Sequence, residues 1–178
     1  MRRPMIYLLI FFWGCCSLSG CGYTATSALP SDLRTIYIEP FKNRIAFTTE
    51  QTRDVYFPLL EVTVRNDIIE RFQFDGRLRV ADKAQDGDLI LKGELVTYEK
   101  EPLRYTDNND VLEYRLRVIV NLVLLDNRKN LILWEEKSFD GETTYLLTGP
   151  GSVSENTAVE NATLDLAKRV VEKTIENW

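Results

Sequence analysis

Residues 111–126 read VLEYRLRVIVNLVLLD, and the fold is decided there. Even positions are apolar or aromatic from Leu112 to Leu124: Leu112, Tyr114, Leu116, Val118, Val120, Leu122 and Leu124. Odd positions open with Glu113, Arg115 and Arg117. A period of two sends alternate side chains to opposite faces, so this is a strand with one face in a core and the other starting in water. At about 3.4 Å per residue it spans roughly 50 Å, long for a small domain.

Such a strand needs long neighbours. On one side, Asn127 to Asn130 turns the chain and Leu131 to Phe139 returns as a partner. On the other, Asp107 to Asp110 is a turn by composition, and Asp88 to Lys100 is an alternating strand before it. Arg77 to Ala81 is a shorter strand with Leu78 and Val80 inward. Arg34 to Phe41 is another, with Ile36 and Ile38 on one face and Pro40 ending it or marking an edge. Lys42 to Asp54 is polar and reads as loop.

Two segments change period. Pro58 to Phe74 repeats apolar residues every four positions at Leu60, Val64, Ile68 and Phe72, and Asp75-Gly76 stops it. About Ser154 to Glu176 carries a stripe of Val159, Ala162, Leu166 and Val170, with Ser152 and Glu155 at capping-box spacing. The pattern predicts an α+β fold: two helices packed on one face of a four- to five-stranded, mostly antiparallel sheet, a two-layer sandwich. Residues 34–178 form this single domain.

The N-terminus is of a different kind. Arg2 and Arg3 precede an apolar run from Met5 to Trp13, and Leu18-Ser19-Gly20-Cys21 follows. The run is too short for a spanning helix, which needs about 20 apolar residues. It has the three-part plan of a secretory signal, residues 1–20. Leu-Ser-Gly-Cys resembles the lipobox of bacterial lipoproteins. That resemblance implies cleavage before Cys21, a diacylglycerol on its thiol and an acyl chain on its amine, leaving residues 21–33 as a lipidated tether. Cys15 and Cys16 leave with the signal, so the mature chain holds no disulfide. Residue 22 is Gly, not the Asp that commonly retains lipoproteins at the inner membrane, which points to the outer membrane.

Composition narrows the function. Loss of Arg2 and Arg3 from the 22 basic residues leaves 20 against 27 acidic ones, a net charge of −7. An acidic domain is a poor general binder of nucleic acid. There is no histidine, which removes Ser-His-Asp catalysis and the commonest transition-metal ligand. No phosphate loop occurs, and Gly149-Pro150-Gly151 is a breaker. Carboxylates are abundant, but most sit in charged surface patterns such as Glu99-Lys100-Glu101 and Glu135-Glu136-Lys137. No catalytic residue, metal or cofactor is nominated.

Several motifs together resemble one family, the LPS-assembly lipoproteins called LptE. They are Cys21-Gly22-Tyr23, the run IYIEPFKNR from Ile36 to Arg44, Ile69-Glu70-Arg71-Phe72, Asp75-Gly76-Arg77-Leu78, Glu113-Tyr114-Arg115-Leu116 and Leu133-Trp134. The resemblance implies a lipid-anchored protein on the periplasmic side of the outer membrane. It implies that the protein plugs the LptD β-barrel, helps it assemble and serves lipopolysaccharide transport. No covalent chemistry is implied.

Lipopolysaccharide carries phosphates and acidic sugars, so direct binding calls for Arg or Lys. The candidates are Arg115 and Arg117 on the outward side of the long strand and Lys137 on its neighbour. Against this stands cross-strand pairing with Glu94, Glu113 or Glu135. The turn around Tyr105 to Asp110 is a candidate for contact with a barrel lumen. Two other kinds of molecule remain: a stand-alone outer-membrane lipoprotein binding a soluble or cell-wall ligand, and a hydrolase built on two converging carboxylates about 5–10 Å apart.

Overall fold

The computed structural model describes residues 30, 32–45 and 57–176. The signal segment, Cys21 and most of the tether lie outside the described residues.

The long strand falls on Val111–Asp126 (β5), with the expected bounds. Leu116, Val118, Val120, Leu122 and Leu124 are fully buried, as the alternation requires. Antiparallel to it run Leu89–Tyr105 (β4) and Leu131–Leu146 (β6). Both exceed their sequence estimates, which ended at Lys100 and Phe139. Charged cross-strand neighbours extend β4, with Glu101 opposite Arg115 and Arg104 opposite Glu113. The polar run from Asp140 to Tyr145 extends β6 because every residue in it has a β5 partner.

Three short strands complete the sheet: Thr35–Ile38 (β1), Lys42–Asn43 (β2) and Arg79–Val80 (β3). The order is β3-β1-β4-β5-β6, with β2 also on β4. β1 pairs in parallel with β3 and β4, and β2 in parallel with β4. The sheet therefore has six strands and is mixed, antiparallel along its three long members. Strand β2 occupies two residues read as loop. It is held by its backbone to Glu94 and Leu95 of β4, which side-chain periodicity does not reveal.

Leu60–Asp75 (α1) and Glu155–Glu176 (α2) are the two helices. In α1, Leu60, Val64, Ile68 and Phe72 are all fully buried. The helix begins two residues after Pro58 because Leu59 is left-handed, at φ 60°. Gly76 ends it at φ 75°, where its N–H donates to the Phe72 carbonyl. In α2 the cap is Ser154, whose Oγ accepts the Thr157 N–H at 3.1 Å. The Ser152–Glu155 capping box does not form. Glu155 is the first helical residue, and its carboxylate turns to the sheet instead.

Both helices bury their stripes in one core with the even face of β5. Helix α2 lies so close to β6 that a Cβ on Gly141 would come within 2.4 Å of the Ala162 carbonyl and the Leu166 Cβ. Among the described residues, packing begins at Leu33, which is buried. Among the described residues no helix is long and apolar enough to cross a membrane.

Candidate functional site

The second face of the sheet is covered by neither helix, and the sheet's charge gathers there. Register brings opposite signs together across the strands. Arg117 is opposite Glu99 and donates to it at 2.5 Å. Arg115 lies between Glu101 and Glu142, each 3.9 Å away, and its Nε is buried without a hydrogen-bond partner. Arg104 meets Glu113 at 2.5 Å. Lower down, Glu94 faces Arg44 at 3.3 Å and Lys42 at 4.0 Å, and Glu39 faces Lys92 at 3.5 Å.

Lys137 reaches this face through an irregularity. Leu122 pairs with Glu136 and Val120 with Phe139, so Asn121 faces an enlarged loop of strand. Within it Ser138 takes φ 56° and donates its N–H to the Asn121 side chain at 3.0 Å. Such a bulge re-aims side chains. Lys137 then lines a groove of about 350 Å³ with Lys42, Lys92, Glu94, Asn121 and Glu135. Its nearest carboxylate is Glu135 at 4.0 Å, and its side chain is 79% exposed.

The three candidate cations thus share a face but not a site. Arg115 and Arg117 belong to the ion-pair ladder at the top of the sheet, and Lys137 belongs to the groove. Cross-strand pairing governs both arginines, through Glu99, Glu101 and Glu142 rather than Glu94, Glu113 or Glu135; Lys137 instead has its nearest acid, Glu135, on its own strand. Lys42 and Lys92 join Lys137 and were not singled out from sequence. The alternation of Lys92 with buried Leu89 and Leu91 carried that signal, whereas Lys42 depended on the unseen pairing of β2.

On the opposite, helix-covered face of the sheet, Glu155 forms a clasp. Tyr98 donates to it at 2.9 Å, Lys100 at 2.6 Å and Tyr145 at 3.5 Å, joining the start of α2 to β4 and β6. Burial alone would raise the Glu155 carboxyl, but the bonds from Lys100 and Tyr98 outweigh it and hold the carboxyl below its ordinary value. Burial, reinforced by this carboxylate, pushes the Tyr98 phenol up. Lys100 also sits 4.6 Å from the Tyr114 ring centre, and Tyr114 stacks on Tyr145 at 5.9 Å.

On the outer surface, Asp67, Glu70, Arg71, Phe74, Leu164 and Lys168 line a cleft of about 570 Å³ between the helices. Burial raises the Asp67 carboxyl there, against a hydrogen bond from Thr163. No three Asp, Glu or Cys side chains converge to hold a metal ion among the described residues.

Several solved structures are similar to this chain. A hypothetical protein of Chlamydia trachomatis is 14% identical, with a TM-score of 0.54 over 80% of this chain and 95% of the other. A protein of Xanthomonas campestris is 14% identical, with a TM-score of 0.52 over 84% and 89%. An uncharacterised lipoprotein B of Nitrosomonas europaea is 17% identical, with a TM-score of 0.49 over 80% and 83%. No curated protein sequence matches the chain. The sequence model described as "LptE: Lipopolysaccharide-assembly" matches residues 33–175, from the first buried side chain, Leu33, to the last turn of α2. The chain therefore belongs to the LptE lipopolysaccharide-assembly family.

Proposed function

We propose that this protein is an outer-membrane lipoprotein, acylated at Cys21, that plugs the LptD β-barrel and helps it assemble and insert lipopolysaccharide at the cell surface. The family match over residues 33–175 carries the reading. The family is one of envelope lipoproteins in lipopolysaccharide assembly, is associated in general with LptD, and is non-enzymatic.

The free sheet face supports the plug. A barrel lumen is polar and wet, so a body lodged in it must present charge without net repulsion from its wall. The ladder of β4, β5 and β6 does this, with each carboxylate facing a cation on a neighbouring strand. Exposed pairs of this kind are worth about 0–1 kcal/mol each. They can be exchanged for a partner's charges at little cost.

Direct contact with lipopolysaccharide phosphates belongs in the groove of Lys42, Lys92 and Lys137. Their carboxylates stand at 3.5–4.0 Å, so no short bond must break for a phosphate to enter. Arg117 is committed to Glu99, and Arg115 to Glu101 and Glu142, so both serve the ladder. This groove is also what a stand-alone binder of an anionic cell-wall ligand would use.

Affinity capture of the tagged full chain from detergent-solubilised outer membranes separates the two readings. Stoichiometric recovery of a large β-barrel, resistant to high salt, is the expected result. Capture of a functional protein with no barrel overturns the plug and leaves the stand-alone binder. Cys21→Ser should leave uncleaved or mislocalised precursor, and normal lipid labelling of that variant would refute acylation at Cys21.

A further inference from the structure

The turn between β5 and β6 is closed by hydrogen bonds, and the first two residues of β6 beside it carry exposed apolar side chains. Leu131 and Ile132 are 55% and 54% exposed. Both are paired to β5, Leu131 opposite Asp126 and Ile132 opposite Leu125, and the turn before them is closed by hydrogen bonds. The buried Asp126 carboxylate accepts the N–H groups of Arg128 at 3.0 Å and Lys129 at 3.1 Å. The Asn127 side chain donates to the carbonyls of Ala84 and Gly87 at 2.9 and 2.8 Å. Asn130, at φ 51°, completes the turn. Fraying therefore does not account for the exposure.

The turn also holds the root of the tether. Arg128 donates to the Asp32 carboxylate at 2.8 Å and to its carbonyl at 3.2 Å. The chain enters the core at Leu33, one residue later. Eleven residue steps separate Cys21 from Asp32, and an extended chain of that length reaches about 40 Å at most. The opposite end of β5 lies roughly 50 Å away along the strand. A lipid on Cys21 thus keeps the β5–β6 turn within tether reach of the bilayer and prevents the sheet from standing inverted on its 106–110 turn.

The geometry points to a membrane-contact tip: Leu131 and Ile132 enter the boundary between headgroups and acyl chains of the bilayer that holds the Cys21 lipid. An apolar pair beside a cation suits that depth. Lys129, 68% exposed, can extend its amine to headgroup phosphates while its stem stays in apolar surroundings. The contact would stand the sheet on end, with its 106–110 turn pointing away from the lipid. It rests on acylation at Cys21 and adds an orientation to it.

The acylated chain carries no other thiol once the signal is gone, so Leu131→Cys, Ile132→Cys and, as a distal reference, Asn108→Cys each give one labelling site. The full acylated protein, labelled with a polarity-sensitive fluorophore, is bound to vesicles of phosphatidylethanolamine and phosphatidylglycerol. Circular dichroism checks the fold of each variant. The expected result is a blue shift at 131 and 132, with loss of emission when acyl chains are brominated, and neither change at 108. Vesicle-bound protein whose three sites respond alike, or whose 131 and 132 probes ignore the bromine, overturns the tip. Failure of the acylated protein to float with vesicles refutes the anchor itself, and the tip with it.

Discussion

The two faces of β5 are made from the same sixteen residues and held by different forces. On the even face five aliphatic side chains are fully buried under the helices. Each contributes about 1.5–3 kcal/mol, on the order of 10 kcal/mol in all before conformational entropy is charged. On the odd face Arg115 and Arg117 meet carboxylates in partly open positions, where a pair is worth about 0–1 kcal/mol. The even face specifies the fold. The odd face costs little to rearrange, and a partner can use it without unfolding the domain.

The sharpest way to break this contrast is in the core. Phe72→Ala should destabilise the domain by about 4 kcal/mol through lost burial and a cavity between α1 and the sheet. Urea unfolding would read it, and a loss under about 1 kcal/mol would mean that α1 does not share the core. Next in size is Gly141→Ala, whose new methyl must push α2 off β6. The expected cost is about 2–3 kcal/mol.

The clasp lies between the two extremes. Glu155→Gln should cost about 1 kcal/mol, since its charge-assisted bonds are partly open to water. The sign with pH follows from the depressed Glu155 pKa. Its stabilisation is fully present above the unfolded value, near 4.5, and is lost as pH falls through the lower folded value. Wild type should therefore lose stability faster than Glu155→Gln on acidification below about pH 4.5, as thermal melts across that range would record. Parallel acid profiles would remove the clasp from the account.

Smallest of all is the ladder. A double-mutant cycle on Arg117 and Glu99 should give a coupling of about 0.2–1 kcal/mol that shrinks as salt is added. A large, salt-independent coupling would make the free face a fold determinant and dissolve the comparison.

The same contrast explains what could be read in the sequence. Burial leaves a periodic trace, so β5 was visible from its alternation and the stripes of α1 and α2 from apolar residues every three or four positions. Backbone pairing leaves none, and β2, two residues held in parallel against β4, read as loop. Asp140-Gly141 looks like a strand terminator, yet Gly141 is in β6 because α2 needs its missing side chain. Ser152 fits a capping box by spacing, but Ser154 caps and Glu155 is drawn to Tyr98 and Lys100. At the site, the outward direction of Arg115 and Arg117 was legible. Their partners were not, because Glu99 and Glu101 come opposite them only after a shift in register between Leu95 and Thr97. The grouping of Lys137 with Lys42 and Lys92 needed a bulge and a pairing that no periodicity records.

The most direct test of the free face as the working surface is the amount of lipopolysaccharide that copurifies with the full chain. Wild type would be compared with the triple variant Lys42→Gln, Lys92→Gln, Lys137→Gln, with melting temperature measured on both. The expected result is loss of most of the lipopolysaccharide with little change in melting temperature. Unchanged lipopolysaccharide on a folded triple variant would contradict it.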